Sequence, residues 1–402
     1  AVSTQVWSGS AVVHVSIVNW IKGEESGQKK LYTQVGDDVD SPWEIIDLEQ
    51  INSSLSAKLD VTQAKTLLVN VNSGACYQGQ THGHKGFLLT VQQAATMIRQ
   101  SQNNAEVIFP YLIADELIGG KPPIPQRYII DFHPRDLFTS QQYYEPLKRV
   151  ESMVLPTRKN SAKEEQKRND ELLQKRPKSK VNKHHQNFLN KWWLLSYPRG
   201  ELIEKINTIP RYICCGQVTK RPIFDFISSS IRPNAALIVF PLSDDYSFGI
   251  LQSDIHWQWF TARCSTLTAR FRYTSDTVFD SFPFPQNPKL SQVKKVAIAA
   301  VKLRELRQQI MTENKWSLRE LYRTLEIPGK NRLRTAHEEL DKAVRQVYGM
   351  EKTEDVLKFL LELNFEVADR EAQNLPVIAP GSPPCVTDTS EFITDDCVKM
   401  PD

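Results

Sequence analysis

Residues 245–286, DYSFGILQSDIHWQWFTARCSTLTARFRYTSDTVFDSFPFPQ, change their hydrophobic period twice. Phe248 to Leu251 reads as a short apolar strand. Ser253 then offers a hydroxyl to cap a helix, in which Ile255, Trp259 and Ala262 share one face at spacings of four and three. After Cys264 the period becomes two. Arg270, Arg272 and Thr274 leave one side of a strand, and Phe271 and Tyr273 anchor the other in the core. Phe279, Phe282, Pro283, Phe284 and Pro285 close the segment with residues that pack but continue neither a helix nor a central strand. A basic alternating strand beside an aromatic helix suits a surface that touches nucleic acid. It also suits a core strand with two solvated arginines, the reading that the pattern alone favours.

Working outward, 402 residues exceed one compact core and suit two or three domains. Hydrophobic content of 40% and charged content of 24% are those of a soluble globular protein. A net charge of +3 is too mild to announce a nucleic-acid partner, so distribution must decide. Cys76, Cys214, Cys215, Cys264, Cys385 and Cys397 include no Cys-x-x-Cys pair, which argues against a zinc ribbon and fits reduced cytoplasmic thiols. His82 and His84 lack a neighbouring third ligand, so no metal site is expected. No run reaches membrane-spanning length, and no signal peptide opens the chain. It begins AVSTQVWSGSAVVHVSIVNW, without Met and directly in a strand pattern, and reads as cut from something longer.

SFGILQSDIHWQWF, RCSTL and RFRYTSDTVFDSFPFPQ, in that order, resemble the target-recognition region of large bacterial adenine-specific DNA methyltransferases, the single-chain Type IIG (MmeI-like) restriction–modification enzymes. Tyr77-Gln78-Gly79, Pro110-Tyr111-Leu112 and, near the end, HEELDKAVRQVYG with KFLLELN are similar to further family segments. The resemblance is weakest over 36–75 and absent after 370. It implies adenine-N6 methylation of duplex DNA with S-adenosylmethionine. It also implies that the catalytic pocket carries Asn-Pro-Pro-Tyr or Asp-Pro-Pro-Tyr. Here Pro122-Pro123 stands in Lys-Pro-Pro-Ile and Pro383-Pro384 in Ser-Pro-Pro-Cys, and Gly-x-Gly does not occur. No Asp…Glu-x-Lys nuclease cluster follows a strand either. The expectation is a chain without catalytic or cofactor-binding residues of its own, partnered by duplex DNA and by a catalytic domain that precedes it.

The chain in order predicts an α+β protein. Ala11 to Trp20 reads as a buried strand, and KLYTQV as its antiparallel hairpin partner. In the family such a hairpin ends the catalytic sheet, so residues 1–75 are taken as that domain's end. KTLLVNV, EVIFPYLI and RYIIDF read as strands, and Thr90 caps a helix over VQQAATMIRQ. From Lys148 to Lys191 thirteen Lys and Arg face five Asp and Glu, in a largely helix-forming run. Lys175, Arg176, Lys178 and Lys180 are its candidate phosphate contacts; a solvated pair of connecting helices is the alternative. RYICCGQV, RPIFDFIS and AALIVFPL read as strands whose turns carry Lys220, Arg221 and Arg232. With Arg263, Arg270 and Arg272, these complete the candidate DNA-binding set. Residues 76–288 form the expected recognition domain. Residues 289–370 form a helical domain, with Glu338, Glu339 and Asp341 on a solvated face and Gly349 as a stop. Residues 371–402 are expected to be a flexible tail. The alternative to a piece of a methyltransferase is a non-enzymatic specificity subunit acting in trans; an RNA-binding or scaffolding protein is a third reading.

Overall fold

Strands buried on both faces read as continuous apolar runs, and the middle of this molecule is built on two of them. The computed structural model describes residues 1–9, 13–23, 27–36, 38–51, 55, 59–267 and 270–401, with 265–267 and 270 described by their backbone alone. Arg211–Gly216 and Leu237–Phe240 pair antiparallel, flanked by Asp225–Ser228 and Tyr77–Gln78. Ile213, Cys215, Ile238 and Phe240 enter one apolar cluster, while Tyr212, Cys214, Leu237 and Val239 enter another. A second sheet, ordered Arg232–Pro233, Ile108–Leu112, Arg127–Ile130, Leu88–Thr90, covers a third cluster.

The helices of the C-terminal part share the first cluster with the central sheet of Arg211–Gly216 and Leu237–Phe240. Leu290–Asn314 buries Val293, Val296, Ala300 and Leu303, and Arg332–Tyr348 buries Leu333, Leu340, Val344 and Val347 before Gly349 ends it at φ 75°. Val356–Ala372 adds Val356, Leu357 and Leu360. Asp245–Gln252 lies so close to them that a Cβ on Gly249 would meet Val296 Cγ1 at 2.6 Å. All eight of its residues are buried. That explains why Phe248–Leu251, expected as a strand, is helical: four apolar residues buried all round carry no period.

Other expectations are corrected. KTLLVNV is not a strand; Leu68–Ser73 is a helix whose first N–H groups bond to the Glu371 carboxylate, Leu68 N at 2.8 Å and Val69 N at 2.6 Å. A cap supplied from so far along the chain leaves no local trace. The N-terminal hairpin is also different. His14–Ile17 pairs with Val2–Val6, which then pairs parallel with Lys29–Gln34, itself antiparallel to Trp43–Leu48. His14–Ile17 is not buried, and Trp20 is 81% exposed; residues 11 and 12 of the expected strand lie outside the described residues.

The stretch expected as a flexible tail is laid on the body. Phe392 is buried, Asp396 bonds to Arg211 and Arg304, and Val398 exchanges backbone bonds with Phe226 (2.8 Å) and Ser228 (2.9 Å) along the sheet edge. Its Pro- and Asp-rich composition makes a strap held by charges and a sheet edge.

Candidate nucleic-acid interface

A small three-stranded sheet brings together four of the ten candidate basic residues, Lys220, Arg221, Arg270 and Arg272. Arg270–Arg272 lies in its middle, antiparallel to Val218–Thr219 and to Ser265–Leu267. Val218 faces Arg272 and Thr219 faces Phe271, so the next residues, Lys220 and Arg221, leave the sheet at its Arg270 end. Two basic stretches about fifty residues apart thus converge. Arg272, Lys220 and Arg221 are exposed. The Arg221 guanidinium sits 5.9 Å from the Tyr322 ring centroid, a platform from the C-terminal helices. For Arg270 the backbone alone is described.

Aromatic packing fixes the sheet from below. Ser253 caps Asp254–Arg263 by accepting from His256 N at 3.3 Å, and this helix presents Trp257 and Phe260 edge-on to Phe271. Phe271 itself is half-buried; the fully buried anchor is Tyr273. The Tyr273 hydroxyl meets His256 Nε2 at 3.0 Å, and His256 Nδ1 meets the Leu251 carbonyl at 2.8 Å. A carbonyl only accepts, so Nδ1 carries the proton and Nε2 accepts from Tyr273. Burial pushes the His256 pKa down to about 4, keeping it neutral. Phe279, Phe282 and Phe284 are buried, as expected.

Two expected DNA contacts have other employment. Arg232 is 5% exposed, donates to Asn207 Oδ1 at 3.0 Å, and stacks 4.1 Å over Phe109. It clamps the second sheet, and burial lowers its pKa. Arg263 donates to the carbonyls of Thr277 (3.2 Å) and Val61 (2.8 Å) and to Ser281 Oγ (3.3 Å), so its fork ties three segments together.

Lys175, Arg176, Lys178 and Lys180 lie elsewhere, all exposed, where the Tyr144–Lys175 helix turns toward His184–Asn190. Asn169 holds that turn by bonding to Asn182 through both its carboxamide atoms (2.6 and 3.1 Å).

Beside Arg221 opens a narrow cleft lined by Gln252, Asp254, Trp257, His337 and Asp341. Asp341, expected on a solvated face, accepts from Asp254 N at 2.8 Å, and burial raises its pKa to about 7. The sequence signal for this cleft was His337, a polar residue at an apolar-stripe spacing between Leu333 and Leu340. Among the described residues no group of three or more His, Cys, Asp or Glu could hold a metal ion, and no helix is long and apolar enough to cross a membrane.

Residues 221–286 match the family model of the MmeI target recognition domain. Over 148 residues, 36% of this chain, the sequence is 28% identical to DNA methyltransferase A of Bacillus subtilis (strain 168), of which that stretch is 16%. The fold is similar to that of the Type IIL restriction–modification enzyme MmeI, solved in complex with DNA, at a TM-score of 0.67 and 19% identity. That likeness covers 92% of this chain and 45% of the MmeI chain. The chain therefore spans less than half the length of either protein. It has a mixed α+β, MmeI-like fold, and its MmeI-like target recognition segment holds Arg221, Arg263, Arg270 and Arg272.

Proposed function

We propose that this chain is the DNA-recognition part of a larger bacterial enzyme that methylates adenine N6 at specific duplex sites within a restriction–modification system. The observation that carries the reading is the convergence of Lys220, Arg221 and Arg272 on one rigidly backed sheet, whose middle strand lies inside the segment similar to the MmeI recognition domain. Arginines held by buried aromatics suit bidentate reading of guanine edges in the major groove. Lys175, Arg176, Lys178 and Lys180 would contact phosphates, adding affinity without sequence choice. Catalysis and S-adenosylmethionine binding would belong to a domain outside these residues, since neither Gly-x-Gly nor Asn-Pro-Pro-Tyr occurs here. The N-terminal sheet would dock there: Trp7, Ile17, Trp20, Trp43 and Ile45 are exposed on or beside it, more apolar surface than a free face normally carries. The sections of the chain would serve as a docking sheet (1–75), a recognition domain (76–288) and a helical support (289–370).

The test is genome-wide mapping of methylated adenines in cells carrying the full-length enzyme with Arg270→Ala or Arg272→Ala. Losing one reader should cost about 1–3 kcal/mol at a single position of the site and relax the motif there. If both variants keep the parental motif at parental levels, the strand is structural, and reading would have to lie with Lys220 and Arg221.

A further inference from the structure

We propose that the exposed face of the Tyr144–Lys175 helix bearing Lys159, Lys163 and Lys167 is a further contact with the phosphate backbone of duplex DNA, beyond the small sheet and the Lys175–Lys180 turn. The inference rests on the DNA-binding function proposed above and adds a surface to it.

The three lysines recur every fourth residue, so each lies roughly one turn beyond the last, about 6 Å further along the axis and turned by about 40°. All three are exposed, and none takes part in an ion pair with another described residue. They rim a shallow groove whose other wall carries Gln186 and Leu189 from the His184–Asn190 helix. Two arginines pin the helix to the body. Near its start Arg149 donates to the carbonyls of Gly86 (3.2 Å) and Leu88 (2.9 Å). Arg158 donates to the carbonyls of Phe188 (3.1 Å) and Lys191 (2.9 Å) and lies over the Phe87 and Phe188 rings. These two arginines are thus spent on packing, whereas Lys159, Lys163 and Lys167 stay exposed, as do Arg168 and Lys175.

Of the acids on this helix, Glu165 is buried and caps the neighbouring helix, accepting from His185 N and Gln186 N at 3.0 Å each. Asp170, on the same groove, accepts from the Gln166 carboxamide at 2.7 Å, and Glu164 and Glu171 are exposed. None of them forms an ion pair with the three lysines, and a row of like charges at this spacing weakens a helix left by itself. The fitting partner is a regular line of negative charge. One strand of B-DNA offers a phosphate about every 3.4 Å along its axis, so steps of about 6 Å approach alternate phosphates. Ammonium groups on flexible stems act as point charges and suit the backbone better than base edges.

The experiment measures binding of the 402-residue chain to a labelled duplex by fluorescence anisotropy across a salt series. The wild type is compared with Lys159→Ala/Lys163→Ala/Lys167→Ala. The slope of log affinity against log salt should become shallower by about 0.9 for each lost contact, up to about 2.7, equally on any duplex sequence. The melting temperature should not move, because all three side chains are exposed. If the wild type binds and the triple variant keeps its slope, this inference falls and the function proposed above stands. A slope that changes on single strands but not on duplex also overturns it. A wild type with no duplex affinity brings both down together.

Discussion

Asp341 illustrates how a single burial changes a residue's meaning. Its carboxyl rises from the ordinary 3.8 to about 7, chiefly because the cleft beside Arg221 desolvates it. The folded protein therefore holds this proton more tightly than the unfolded chain does. Stability from this group is greatest below pH 3.8 and declines as pH rises toward about 7, where folded and unfolded states are both charged. His256 acts oppositely over much of the same range: with its pKa pushed down to about 4, it favours the fold as pH rises. The two trends offset each other in the wild type, so a difference measurement is needed. Urea unfolding of Asp341→Asn and wild type should show the variant gaining relative stability steadily between pH 4 and pH 7, with the gap constant above that. Asparagine retains the oxygen that accepts from Asp254 N. A gap that does not vary with pH would mean the carboxyl is solvated.

At the scale of elements, the recognition sheet depends more on what lies beneath it than on its own three short strands. Tyr273→Ala removes a fully buried ring and leaves His256 Nε2 without its partner, for an expected loss of about 3–5 kcal/mol. Phe271→Ala takes away a half-buried ring and should cost about 1–2 kcal/mol, because only part of its apolar area leaves the core. Thermal melts of the two variants check the order; equal losses would mean that Phe271 anchors the sheet as firmly as Tyr273. The alternation through Phe271 and Tyr273, the Ser253 cap, the Thr90 capping box and the long C-terminal helices were legible because each depends on neighbours in sequence. So was the aromatic closure at Phe279 to Phe284. What was not legible depends on distant partners. The helix at Leu68–Ser73 is capped by Glu371, Asp245–Gln252 is buried on every side, and Val2–Val6 enters between two strands expected to pair with each other. The candidate site divides likewise. Exposure of Arg272 and Lys220 followed from their places in the pattern, whereas the inward turns of Arg232 and Arg263 depended on Asn207 and Val61 far along the chain.

On the scale of the whole molecule, the C-terminal strap ties the helical support to the central sheet. Asp245 lies between Arg211 (2.7 Å) and Arg304 (2.5 Å), all three almost wholly buried, and Asp396 reaches both arginines from the strap. Ending the chain at residue 375 would leave two buried cations sharing one carboxylate and would uncover the edge beside Phe226. The expected loss is about 3–5 kcal/mol, read as a lower urea midpoint; an unchanged midpoint would make the strap a passive covering. The same long reach appears in Asn364, whose carboxamide takes both backbone groups of Lys65, at 2.7 and 2.9 Å, across 299 residues. This has a consequence for how the molecule comes into being. A ribosome delivers residues 65–73 first, and their partners Asn364 and Glu371 emerge only after some 300 more. At about 5–20 residues per second the wait is roughly 15–60 s. Through that interval Leu68 and Val69 belong to a nascent segment whose first helical N–H groups have no cap. The closing of this contact thus waits for residues 364–371 to emerge, and contacts of such sequence separation form slowly even afterwards.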